Sequence, residues 1–136
     1  MERGRRRRFG FQARTEYSLH LMPAVLYIAQ VKEGLPTVAE GRRRLATELD
    51  KARGAHAVAV KVIHGYGSRG VGGALREAIR RSLAKRKKEG RIRAFVAGEK
   101  WDLFDPAARE ILDACPELAR DPDLNRYNEG ITVVLL

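Results

Sequence analysis

The chain has 136 residues, enough for one domain with a single core, and 44% of them are hydrophobic. No apolar run approaches the ~18–20 residues of a membrane span, and a lone cysteine, Cys115, excludes an internal disulfide. The formal net charge of +10 points instead to a polyanionic partner.

The charge is unevenly spread. Residues 1–14 hold six Lys/Arg against one Glu, residues 15–90 fifteen against seven, and residues 91–136 six against nine. The middle of the chain is therefore basic in its own right. Residues 1–15, with "RRRR" at 5–8, have little to bury and are expected to form a disordered arm ahead of a single domain, 16–136. The stretch after the arm is broken by charge and by Pro23, which does not fit a signal peptide. The expected setting is the reducing cytoplasm, and Cys115 beside Pro116 is expected to be a small buried hydrophobe.

"AVLYIAQV" at 24–31 is apolar and β-rich, which predicts a strand. After the break "EGLP", Thr37 and Glu40 have the spacing of a capping box. Val38, Leu45, Leu49 and Ala52 share one stripe, so 38–53 is a predicted helix with Gly54 as its end. "AVAVKVI" at 57–63 is a second predicted strand. Val71, Leu75, Ala78, Ile79 and Leu83 form the stripe of a second helix, which runs to about Lys88 with Gly90 as C-cap. "RIRAFVA" at 91–97 predicts a third strand. Asp105 and Pro106 occupy the N-cap and first position of a shorter helix. An irregular connection follows, then a last strand, "ITVVLL", at 131–136. The order β-α-β-α-β-(α)-β predicts an α/β domain with a small mixed sheet in two or three layers. Its first three strands run parallel, and the last pairs either way.

The chemistry gathers between the second strand and second helix, in "VIHGYGSRGVGG". Gly65, Gly67, Gly70, Gly72 and Gly73 make a loop whose backbone N–H groups meet the positive end of a helix, a cradle for phosphate. Ser68 and Arg69 add donors, and Arg76 and Arg80 on the helix are candidate phosphate forks. Gly65, Gly67 and Gly70 match G-x-G-x-x-G. The acid expected about 20 residues further on is missing, however, since Glu99 lies 29 past Gly70, and no Gly-Lys-Ser/Thr follows. His64 is the histidine beside the loop. It serves either as a proton-transfer group or as a structural or phosphate-binding residue. Glu99 and Asp102 are a weak pair for a metal and more commonly solvated charges; Trp101 is a base-stacking platform or, more commonly, a core residue. His20 and His56 have no assigned role.

"VIHGYGSRGVGGALREAIRRSL", with "LPTVAEGRRRLATEL" before it and "FVAGEKWDLFDPAAREILDACPELARDPDLNRYNEGITVVLL" after it, resembles the small MutS-related (Smr) domain family. The resemblance implies a fold like the C-terminal domain of translation initiation factor three. It also implies binding to DNA or RNA and, in some relatives, DNA-nicking or RNA-cleaving endonuclease activity. For such cleavage His64 is the candidate catalytic residue and Mg²⁺ the candidate cofactor, with no metal ligands assigned. Many relatives carry Leu-Asp-x-His after the first strand, where this chain reads "QVKEG" at 30–34. "YSLH" at 17–20 only imitates that motif. Two alternatives stand beside the endonuclease: a binding module for nucleic acid or ribosomes without catalysis, and a small-nucleotide binder.

Overall fold

The structure, a computed structural model, describes residues 25–34, 36–66 and 72–136. The predicted arm 1–15, His20 and the "YSLH" stretch lie outside the described residues, as do Gly67, Ser68, Arg69 and Gly70 of the glycine loop. No helix among the described residues is long and apolar enough to cross a membrane.

The first strand, β1, spans Leu26–Gln30 and leads to helix α1, Val38–Gly54. The capping box forms as expected. Thr37 Oγ1 accepts from the Glu40 N–H at 3.1 Å, and Glu40 Oε1 accepts from the Thr37 N–H at 2.9 Å. The helix ends differently from expectation. Gly54 is its last residue rather than its stop, and the left-handed position falls two residues later, at His56 with φ 59°. Strand β2, Ala59–Ile63, is followed by α2, Gly72–Lys88, and Gly90 closes that helix at φ 76°. Strand β3 is shorter than predicted, Ala94–Ala97, because Ala94 already faces Leu135, the last residue of its neighbour. Asp105 caps α3, Pro106–Ala114, accepting from the Ala107 and Ala108 N–H groups, with Pro106 at the first position. A 3₁₀ turn, Pro116–Arg120, interrupts the long connection to β4, Ile131–Leu135.

The sheet order is β1-β2-β4-β3. β1 pairs parallel to β2, whereas β4 pairs antiparallel to both β2 and β3. The first three strands therefore point the same way, with the last strand inserted among them. Helices α1 and α2 cover one face, where Leu45, Leu49, Leu75, Ile79 and Leu83 meet Val60, Val62 and Val134. On the other face Ala108 and Ile111 of α3, with Trp101 and Leu118, meet Val96, Val133 and Leu135. This is a three-layer α/β domain. The two helices of the first face touch closely at Gly41, where a Cβ would lie 2.2 Å from Leu75 Cδ1. Cys115 is buried as expected, and burial pushes its thiol up.

Candidate functional site

All three parallel strands end on one side of the sheet, and β4 starts there. In open α/β sheets this carboxyl end is where ligands bind. The glycine loop leaves β2 at this point. His64 and Gly65 both donate their backbone N–H to the Gly130 carbonyl at 3.0 Å. Gly65 takes φ 84°, a left-handed conformation that favours glycine, with Lys32 packed beside it.

His64 is buried, and both ring nitrogens are engaged. Nδ1 lies 3.0 Å from the Gly65 carbonyl oxygen, and Nε2 lies 2.9 Å from Thr132 Oγ1. A carbonyl only accepts, so Nδ1 carries the proton. Arg80 Nε donates to Thr132 Oγ1 at 3.0 Å. With the ring neutral, the threonine hydroxyl donates to Nε2, and the chain of donors runs Arg80 to Thr132 to His64 to Gly65. Burial is the main force that lowers the His64 pKa to about 4. The Gly65 carbonyl opposes it, while the neighbouring Arg80 and Arg76 charges add to it and Glu99 pulls weakly the other way.

The two helix arginines are also engaged. Arg80 forms a two-pronged pair with Glu99, at 3.0 and 2.9 Å, and reaches the Ile131 carbonyl at 3.1 Å. Burial raises the Glu99 carboxyl, but the Arg80 bond, a backbone N–H bond and the Arg80 and Arg76 charges together outweigh it and the pKa is lowered. Arg76 donates to the Tyr66 carbonyl at 3.1 Å and to Glu129 Oε1 at 3.2 Å. Of the predicted site residues, the structure thus brings together His64, Gly65, Arg76 and Arg80, with Gly72 and Gly73 opening α2. Arg80 is not an open fork for phosphate, since a carboxylate already fills it.

Several residues of this cluster escaped the sequence reading. Thr132 and Glu129 come from the distant β4 side. Gly98 is demanded by contact, because a Cβ there would lie 1.9 Å from the Asn128 carbonyl oxygen. No local pattern signals any of them. Glu99, read as a solvated strand-end charge, is paired with Arg80 instead, and Asp102 caps a turn by accepting from the Phe104 and Asp105 N–H groups. Among the described residues no three His, Cys, Asp or Glu side chains group as metal ligands.

A second polar cluster lies on the opposite face. Lys61 of β2 is buried, with Nζ 2.7 Å from Asp121 and 2.6 Å from Asp123. Trp101 Nε1 donates to Asp121 at 3.0 Å, and Asn128 Nδ2 donates to Asp123 at 2.9 Å. Trp101 is a core residue, not a stacking platform. These bonds pin the connection that delivers Glu129 and Gly130 to the site.

A three-layer α/β domain with a glycine-rich strand-to-helix loop at its carboxyl end is a known phosphate-binding design. The family model of the Smr domain matches residues 34–102, half of the chain. The chain belongs to the Smr domain family. No curated protein and no solved structure matches it. The matched span ends before α3 and β4, so Thr132, the partner of His64, lies beyond it.

Proposed function

We propose that this Smr domain binds nucleic acid, DNA or RNA, through α2 and the glycine loop that feeds it. The observation that carries the proposal is the charge of α2. Its 17 residues hold seven Lys/Arg and one Glu. Arg81 is 72% exposed, and its partner Glu77 sits 3.8 Å away in solvent, a pair of little strength. Four of the seven, Lys85, Arg86, Lys87 and Lys88, lie in its last turn. Phosphates meeting this helix would release counterions and gain affinity without base recognition. Arg76, Gly65, Gly72 and Gly73 border the loop side of that surface, and the sequence offers Gly67, Ser68, Arg69 and Gly70 and the basic residues of 1–15 as further candidate donors.

His64 serves in this proposal as the lock that holds the loop to β4, since both of its nitrogens are satisfied inside the fold. Phosphodiester cleavage would require the ring to give up one of those bonds. The kinship of fold with the C-terminal domain of translation initiation factor three, and a cytoplasmic setting in which Cys115 stays reduced, belong to the same proposal.

The test is binding of labelled RNA, single-stranded DNA and duplex DNA across a salt series, with Mg²⁺ or EDTA. The log–log slope should be steep, about −0.9 per phosphate neutralised on duplex, and the strands should stay intact. A slope near zero overturns the proposal. Cleavage that His64→Ala abolishes would restore the catalytic role.

A further inference from the structure

The carboxyl end of the sheet carries a feature that phosphate binding alone does not use. Tyr66, Phe104 and Tyr127 are 59%, 85% and 69% exposed. The other described aromatic residues, Tyr27, Phe95 and Trp101, lie in or against the core. The exposed rings come from three separate connections: after β2, after β3 and before β4. The topology brings all three connections to the same end of the sheet.

Tyr66 is held in place. Its carbonyl accepts from Arg76, and its ring rests against Gly130, with ring atoms 3.4 Å from where a Cβ would stand. Tyr127 is presented at a cost. It takes φ 54° and Asn125 takes φ 64°, two left-handed non-glycine residues within three. Such backbone is strained for residues other than glycine and persists where the surroundings enforce it. Here the Asp123–Asn128 bond and the Lys61 anchor hold the connection. Packing does not reward the exposed ring that results.

Cations occupy the same connections. Lys32 follows β1, Lys100 follows β3 and Arg126 precedes Tyr127, all exposed. Among the described residues no carboxylate pairs with any of them. Exposed rings and cations at one end of the sheet, where the arginine-rich helix begins, match a strand with accessible base faces and a phosphate backbone. A closed duplex hides its base faces in the stack.

We infer that this end of the sheet takes unpaired bases, with Tyr66 as a stacking platform, so that the preferred ligand is single-stranded. The inference rests on the nucleic-acid binding proposed above. The test compares three probes of equal length: oligo-dT, an abasic strand with the same phosphates, and a duplex. Wild-type protein should favour oligo-dT over the abasic strand at one salt concentration. Tyr66→Ala should cut affinity for oligo-dT about tenfold, within the range for loss of one stacked base. It should leave abasic binding and the thermal unfolding midpoint unchanged. Tyr66→Phe should restore oligo-dT binding, because stacking needs the ring and not the hydroxyl. Equal binding of oligo-dT and abasic strand, unmoved by Tyr66→Ala, overturns the inference while the charge-based proposal survives. Equal losses on both strands would make Tyr66 a charge-site support and overturn it as well. If the wild type binds none of the probes, both fall together.

Discussion

Lys61 and His64 stand three residues apart in one segment, on opposite faces of one sheet, and both are buried, at 6% and 1% exposure. Their charges differ. Burial alone would lower the Lys61 pKa, but the hydrogen-bonded Asp121 and Asp123 carboxylates outweigh it and raise it. His64 meets a hydroxyl and a carbonyl, with arginines nearby, and burial lowers it to about 4. The loss of water is common to both. The chemistry of the partner decides which nitrogen keeps its proton.

Breaking the charged side should have the largest effect. Lys61→Ala leaves Asp121 and Asp123 facing each other without a cation, and Asp121 is almost fully buried. Removing one partner of such a cluster costs about 3–5 kcal/mol. Urea unfolding should show it, with a changed Trp101 emission because the indole bonds to Asp121.

Acid should act on the neutral side. A folded pKa near 4 against an unfolded value near 6.5 means that the unfolded chain binds the extra proton first. The stability held by neutral His64 is complete above about pH 6.5 and is lost as pH falls toward 4. Between pH 7 and 5 the linkage amounts to about 2 kcal/mol. The difference in unfolding free energy between wild type and His64→Asn should change by that amount. A pH-independent difference would mean that folding leaves the ring's pKa where it is in the unfolded chain.

A smaller effect sharpens the same contrast. Thr132→Val keeps the shape but removes the hydroxyl between Arg80 and His64. Leaving these groups unpartnered should cost about 1–3 kcal/mol. Calorimetric unfolding should register that loss. An unchanged unfolding temperature would show that water replaces the hydroxyl.

The helical punctuation was legible because it is local. Thr37 and Glu40 are three residues apart, Asp105 and Pro106 are adjacent, and each pair acts on the helix it opens. The alternation of elements also followed from short-range patterns. What escaped is long-range. The insertion of β4 between β2 and β3 depends on pairing across some seventy residues, as Ile63 with Ile131. That insertion brings Thr132 to His64 and Glu129 to Arg76. Arg80 read as a fork for phosphate from its chemistry alone. Its choice of Glu99 depends on how far α2 lies from the end of β3, which no spacing encodes. Lys61 looked like an ordinary strand residue, since its partners lie sixty residues away. The exposed rings escaped for a related reason: three separate connections hold them, and only the sheet order gathers them.

The central place of β4 also governs how the molecule assembles. β1, α1 and β2 form a nearly local unit, able to pair as soon as they meet. β3 has a single neighbour in the sheet, and that neighbour is β4. Until β4 docks, one side of β2 and the whole of β3 present bare strand edges, the kind of surface that invites pairing between chains. Closing loops of this length is slow compared with forming helices. Only the fourth strand joins the two halves of the sheet, and a chain truncated before it is expected to show bare strand edges and to self-associate, which light scattering would register.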